Sequence, residues 1–192
     1  TKMIQKKNCT LIHSVDLSVR YVENFFNLDE SLAYMKQLTN QICWRREKIN
    51  MWGKEIVTNR RIAWYADDGK SYTYSGSTFF PTQWNVVLLQ LKRRVEEYAK
   101  IKFNSVLLNK YANGEVGMGW HSDDEKELGT DPIIASLSFG ANRDFIFKHK
   151  TDKSIENVKL HLKSGSLLLM LGSTQHYCCL LYTSPSPRDL SS

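Results

Sequence analysis

Asn157-Val158-Lys159-Leu160-His161-Leu162-Lys163 and Ser166-Leu167-Leu168-Leu169-Met170-Leu171, read together, decide the fold class. In the first stretch Val158, Leu160 and Leu162 alternate with Lys159, His161 and Lys163, the period-2 pattern of a strand with one face in a core and the other in water. The second is an apolar run that follows Gly165 and reads as the next strand. Residues 105–111, 133–139 and 144–148 read as further strands between Gly, Asn and Asp turns. Short strands at this spacing predict a β-sandwich or jelly roll with helices packed on it.

Upstream the period lengthens to that of helices. Between residues 29 and 46 the apolar Leu32, Met35, Leu38 and Ile42 recur at helical spacing, with Asn27 or Asp29 as the cap and Asp29 and Glu30 near the positive end of the dipole. After Pro81 a second stripe, Trp84, Leu88, Leu91, Val95 and Tyr98, predicts another helix, with Arg93, Glu96, Glu97 and Lys100 facing water. Residues 50–76, rich in aromatics, Gly and Asp, read as hairpins and loops, and 11–26 mixes strand and turn signals. No internal repeat is visible. The fold class is α+β. The last stretch, Leu180 to Ser192, holds two of the four prolines and no alternation, so it is expected to be a disordered tail or foreign sequence rather than a core strand.

With 192 residues, 42% of them hydrophobic, the chain suits one globular domain. No run of 18 apolar residues occurs, so no membrane span is expected, and the lysines of Thr1 to Asn8 precede no apolar run of a secretory signal. Cys9, Cys43, Cys178 and Cys179 have no Cys-x-x-Cys spacing, which argues against a zinc knuckle or a disulfide framework and for a reducing, intracellular setting. The net charge of +6 suits a polyanionic partner, because each cation that neutralises a phosphate releases counterions. It equally suits a plain soluble surface.

The most suggestive local string is Trp120-His121-Ser122-Asp123-Asp124-Glu125. A His-x-Asp at a strand edge projects both side chains to one side and supplies two of three ligands of the 2-His-1-carboxylate triad that binds Fe(II). The complete triad leaves three positions open, two for a chelating co-substrate and one for O2. On spacing alone, a surface turn with a solvated acidic cluster is the better reading of the string.

The string stands in an ordered series. Leu107-Leu108-Asn109-Lys110-Tyr111 and Gly114 precede it, and Ile134-Ala135-Ser136-Leu137-Ser138-Phe139-Gly140-Ala141-Asn142-Arg143-Asp144-Phe145 and Gly165-Ser166-Leu167-Leu168-Leu169-Met170 follow. This series resembles the core of the AlkB family, and most of all its nuclear double-strand DNA repair branch in animals. Trp52-Gly53-Lys54, Arg60 with Tyr65 and Asp67, and Tyr72-Thr73-Tyr74-Ser75-Gly76 extend the resemblance, which spans roughly residues 11–177.

The resemblance implies a double-stranded β-helix (jelly roll) with packed helices and an N-terminal nucleotide-recognition lid. Residues 1–177 would form one domain, with helices and lid in 11–104 and the jelly-roll core in 105–177; 178–192 would be an unrelated tail, leaving the roll without its last strands. His121 and Asp123 match iron ligands, and Asn109 and Tyr111 match residues that hydrogen-bond 2-oxoglutarate. Tyr72, Thr73 and Tyr74 match a lid over a flipped base, with the Tyr74 ring stacking the base against His121. Asp124 and Glu125 match acidic residues at the base's polar edge, and Arg60 is placed with the substrate. Trp52, Gly53 and Lys54 match a hairpin tip that fills the gap a flipped base leaves. The implied activity is oxidative dealkylation of N-alkylated bases such as 1-methyladenine and 3-methylcytosine, using Fe(II), 2-oxoglutarate and O2. The implied partner is double-stranded DNA, met by a monomer away from membranes, in the nucleus of a eukaryote or otherwise in the cytoplasm.

These roles make physical sense. A methylated base inside a duplex must be extruded to reach an enclosed metal, most easily where the lesion has weakened pairing. Aromatic stacking then returns about 1–3 kcal/mol per base, and a cationic methylated base is attracted by π faces and carboxylates. Ordinary strand-face packing is the other reading of Trp52, Tyr72 and Tyr74.

The series then breaks off. Counting on from Gly165, the family's third ligand falls at Leu180, and His176 sits four residues early. The family's following Arg-x-Asn-x-Thr-x-Arg-like segment, whose first arginine pairs with 2-oxoglutarate, has no counterpart; the tail offers only Arg188. Three readings stay open: an enzyme whose C-terminus has been replaced, a nucleic-acid-binding module without catalysis, and a non-functional fragment.

Overall fold

The computed structural model describes residues 1–6, 9–51, 54–68, 72–74, 77–79, 81–111, 118–123 and 129–182. Strands β1 (Lys2–Lys6), β2 (Cys9–Ser14) and β3 (Leu17–Val22) lead into helix α1 (Leu28–Gln41). Strands β4 (Arg45–Met51) and β5 (Lys54–Ala66) pair as a hairpin, as do β6 (Tyr72–Tyr74) and β7 (Ser77–Phe79). Helix α2 (Val86–Ala99) precedes β8 (Ser105–Tyr111) and β9 (Met118–His121). Then come β10 (Ile134–Ser138), β11 (Arg143–His149), β12 (Val158–Leu162) and β13 (Ser166–Leu171). A helical turn α3 (Thr174–Tyr177) and β14 (Cys178–Tyr182) follow.

The chain divides into two compact units, one of residues 1–36 with 117–192 and one of residues 37–116. The first holds two antiparallel sheets, in the orders β1-β2-β3-β13-β10 and β12-β11-β14-β9. They share one apolar core. Ile12, Leu17, Val19, Tyr21, Leu168 and Met170 come from one sheet, and Phe145, Phe147, Val158, Leu160, Leu162, Cys178 and Leu180 from the other. This is the jelly roll that the alternating strands predict. At roughly 1.5–3 kcal/mol for each large apolar side chain taken from water, this core is the main stabilising element of the unit.

Three boundaries differ from the sequence reading. Residues 11–26 belong to the roll, because the alternating Leu17, Val19 and Tyr21 bring β3 against β13. Strand β8 leaves it, pairing along its whole length with β5 in the three-stranded sheet β4-β5-β8 of the second unit. The ordered chain also does not stop at residue 177. Cys178 and Leu180 are buried, and β14 lies between β11 and β9, so the first residues of the expected tail are a core strand. Residues 183–192 lie outside the described part.

Helix α1 is capped by Asn27. Its Oδ1 accepts from the Glu30 N–H at 2.8 Å, and Glu30 Oε2 accepts from the Asn27 N–H at 2.9 Å, a reciprocal capping box. The helix ends at Gln41, short of residue 46, and only Leu38 and Ile42 of its expected stripe are buried; Leu32 and Met35 are exposed. In α2, Asn85 caps the start and Val87, Leu88, Leu91 and Val95 are buried. Glu96, expected to face water, is buried instead. It accepts from Lys102 Nζ at 2.7 Å and from the Phe103 N–H at 2.9 Å, which ties the chain after α2 back onto the helix. None of the four cysteines is in a disulfide, and burial first, then the Asp16 carboxylate, pushes the Cys178 thiol up to about 11. Among the described residues no helix is long and apolar enough to cross a membrane.

Gly165 opens β13 at φ +76°, with its N–H donating to Ser138 O at 2.7 Å and its carbonyl accepting from the Phe26 N–H at 2.9 Å. A Cβ there would overlap Ser31 Oγ and approach Phe26 O to 2.6 Å. Gly165→Ala is therefore expected to destabilise the chain by roughly 2–4 kcal/mol, from the left-handed backbone and the overlap together. Urea unfolding of both chains measures it; an unchanged midpoint would contradict this account of the turn.

Glu96 supplies a pH-dependent test. Burial raises its pKa, but the hydrogen bonds from Lys102 and Phe103 and the charges of Lys102 and Lys92 outweigh that, leaving it below the ordinary carboxylate value. A depressed folded pKa contributes stability above the unfolded pKa and loses it as pH falls through the folded one. The stability difference between the chain and Glu96→Gln should be largest near neutrality and close on acidification. Melting curves across acid pH check it, and a gap independent of pH would remove the ionic contribution.

Candidate functional site

Position across the four-stranded sheet is set by register. Val158 stands opposite Phe147, Phe147 opposite Leu180, and Leu180 opposite His121. Directly opposed residues of antiparallel strands point to one face with Cβ atoms about 4.5–5.5 Å apart. The row thus runs from three buried apolar side chains to a histidine on the edge strand β9. The ladder ends at His121, and Asp123 follows two residues beyond it.

His121 Nε2 and Asp123 Oδ1 lie 3.8 Å apart, with the two side chains 20% and 35% exposed. They form a partly exposed histidine–carboxylate pair, groups of the kind that can donate to a cation. Trp120 is half-exposed, with Lys148 Nζ 5.4 Å from its ring centroid. The backbone N–H of Asp123 donates to Oε1 of the buried Gln175 at 3.1 Å. Sequence reading passed over Gln175, since an isolated glutamine after an apolar run carries no local signal of the strand it will meet.

The cross-strand position opposite His121 is occupied by an apolar side chain. Leu180, 1% exposed, is the cross-strand neighbour of His121 and packs in the core. His176 is directed elsewhere: its Nε2 accepts from the Asp131 N–H at 3.3 Å and lies 3.4 Å from Asp131 Oδ1. Among the described residues no group of three His, Cys, Asp or Glu side chains is placed to hold a metal ion. Among the described residues two such donors stand together, a set that does not fit a three-ligand iron site.

In the second unit, Asn109 and Tyr111 lie two residues apart on β8 and so share a face, with Arg60 on β5 opposite Tyr111 and Ile62 opposite Asn109. Tyr72, Thr73 and Tyr74 form β6, opposite Phe79, Thr78 and Ser77. Lys54 opens β5 opposite Met51. Trp52, Gly53, Asp124 and Glu125 lie outside the described residues.

A family model described as the 2OG-Fe(II) oxygenase superfamily matches residues 18–180. The chain is 39% identical over 176 residues to an alpha-ketoglutarate-dependent dioxygenase alkB homolog 3 from Bos taurus, covering 85% of this chain and 61% of that protein. It is 44% identical over 129 residues to a DNA oxidative demethylase ALKBH2 from Mus musculus, covering 64% of this chain and 54% of that protein. It thus spans little more than half the length of these relatives. A solved structure titled "The structure of OsALKBH1" superposes with a TM-score of 0.64 at 14% identity, over 89% of this chain and 87% of that one, which bears on the fold alone.

The geometry separates the two histidines. Mn(II) titration should show that His121→Ala or Asp123→Ala weakens divalent-cation binding by roughly tenfold or more, given that even outer-shell changes cost 10–100-fold. His176→Ala should leave binding unchanged. A comparable loss in His176→Ala would return that residue to the ligand set.

Proposed function

The chain belongs to the 2OG-Fe(II) oxygenase superfamily and to its AlkB-type branch, and from that premise we propose that it is built for oxidative dealkylation of N-alkylated bases in nucleic acid and is crippled in that reaction by Leu180. The family works with Fe(II), 2-oxoglutarate and O2, which together oxidise the N-alkyl carbon so that the alkyl group leaves as an aldehyde. The observation that carries the impairment is the cross-strand pair of Leu180 with His121. A leucine offers no lone pair to a cation, so the described residues bring two donors where the chemistry calls for three. Residues 181–192 carry Arg188 in Ser-Pro-Arg-Asp, which does not match the family's next segment and its 2-oxoglutarate arginine. Charge-assisted bonds of that kind contribute about 1.5–3 kcal/mol each.

The remaining assignments follow the family resemblance. Asn109 and Tyr111 are assigned to 2-oxoglutarate. Tyr72, Thr73, Tyr74, Asp124 and Glu125 are assigned to an extruded base, and Trp52, Gly53, Lys54 and Arg60 to the duplex. The partner on this reading is duplex DNA with 1-methyladenine or 3-methylcytosine lesions. It is met by a monomer, in the nucleus of a eukaryote or otherwise in the cytoplasm. The same leucine favours a second reading, a module that binds nucleic acid without turning over.

The test is release of succinate and formaldehyde from a methylated duplex supplied with Fe(II) and 2-oxoglutarate. The unmodified chain is expected to give negligible amounts of both. Leu180→His should raise Mn(II) affinity by roughly 10- to 100-fold, and a chain carrying that change together with a family C-terminal segment and its two arginines should turn over. Robust release by the unmodified chain would refute the Leu180 argument. Silence from the grafted chain would refute the dealkylase reading, and retained duplex binding without turnover would favour the binding module.

A further inference from the structure

Three cations stand in one row across the three-stranded sheet of the second unit. Arg46 on β4 is directly opposite Arg61 on β5, and Arg61 is directly opposite Lys110 on β8. Opposed residues point to one face. Neighbouring strands lie about 4.8 Å apart, so the row starts from three points within about 10 Å of one another. Arg46 and Arg61 are exposed and Lys110 is half-buried. Among the described residues none of the three has a carboxylate partner. Lys110 lies instead against a ring, its Nζ 5.7 Å from the centroid of Trp44. That ring is itself tied down, its Nε1 donating to Leu38 O at 3.2 Å.

The fold gains nothing from this row. Like charges directly opposite one another across strands are destabilising, and here two such pairs share the middle residue. Long side chains splay to relieve the repulsion, but the field of three cations on one face remains and favours an anion. A small anion is met by one or two of them. A row that crosses a whole sheet suits a chain of anions, in which successive charges meet successive cations and each contact releases counterions. We propose that Arg46, Arg61 and Lys110 form a binding surface for the phosphodiester backbone of a nucleic acid, met by charge and not by base. The choice of a nucleic acid over another polyanion rests on the dealkylase reading above.

This surface is separate from the residues assigned to 2-oxoglutarate and to the duplex. Asn109 and Tyr111 flank Lys110 on β8, and Arg60 precedes Arg61 on β5. Side chains alternate along a strand, so those three turn to the opposite face of the sheet. The row therefore holds backbone remote from an extruded base. It adds affinity on any sequence and leaves the choice of lesion to other residues.

The experiment follows a fluorescent oligonucleotide by anisotropy as salt is raised, single-stranded or duplex, with or without one 1-methyladenine. It compares the full chain with the triple variant Arg46→Gln, Arg61→Gln, Lys110→Gln. A control, Lys2→Gln, Lys36→Gln, Arg93→Gln, removes the same charge from exposed positions elsewhere. For the triple variant the slope of log affinity against log salt should become shallower by roughly 2–3, at about 0.7 per lost contact on a single strand and about 0.9 on a duplex. Affinity at fixed salt should fall roughly tenfold or more, equally with and without the lesion. The melting midpoint should hold or rise, because opposed like charges have been removed. The control should keep the slope of the unmodified chain. An unchanged slope in the triple variant, an equal loss in the control, or no binding by the unmodified chain overturns the surface. The dealkylase reading is then decided separately, by turnover in the grafted chain. A chain that does not discriminate the lesion, yet loses slope in the triple variant, keeps the surface and counts against the base assignments alone. Should the triple variant not fold, Arg61→Gln decides by itself, with an expected change in slope of about 0.7–0.9.

Discussion

Strand β14 is the constraint on which the rest of the first unit depends. It lies between β11 and β9, giving each a partner for its backbone groups. Without it, β11 would lose one side of its ladder and β9 would have no partner in that sheet, and unpaired backbone groups beside a core are costly. The same strand closes the core with Cys178 and Leu180. Backbone pairing and apolar burial therefore act together, and the placement of His121 is a by-product of both.

That arrangement explains how an apolar residue comes to stand across from His121. Position 180 faces the core beside Phe147 and also stands opposite the edge-strand histidine. A leucine there buries its side chain fully, with the roughly 1.5–3 kcal/mol that such burial contributes. An imidazole in its place would have to find partners for two ring nitrogens or lose free energy by desolvation. In the absence of a cation the fold is therefore better served by leucine. A leucine opposite His121 is thus compatible with a well-packed strand.

Buried polar side chains finish what regular structure leaves open. Glu96 collects a lysine and a backbone N–H where α2 gives way to the chain leading into β8. Gln175 accepts a backbone N–H just past the end of β9. Both stand where a ladder or helix has run out of its own partners, and both are buried because the element they serve lies against a core. An exposed residue at either place would compete with water and hold the chain less firmly.

Much of this was legible along the chain. Alternation marked β12, because a strand with one face on a core repeats every second residue whatever its partners; β8 and β13 were placed at their observed bounds, β13 from an unbroken apolar run. Asn27 as a cap, the α2 stripe and the His121–Asp123 spacing were equally local. The sequence did not reveal that β8 pairs with β5 and β3 with β13, since a pattern of period two specifies a face and not a neighbour. It misled at Glu96, where helical spacing pointed to water and the returning Lys102–Phe103 segment covered the side chain. It misled again at Cys178–Tyr182, where the proline-rich residues that follow masked five that form a core strand. By itself the sequence determined the alternation that gives β12 its core face and the two-residue spacing of His121 and Asp123, because periodicity and spacing are properties of each segment alone. Only the tertiary structure decided that Leu180 stands across from His121 and that Gln175 meets Asp123, because register between strands more than fifty residues apart arises from packing the whole core at once.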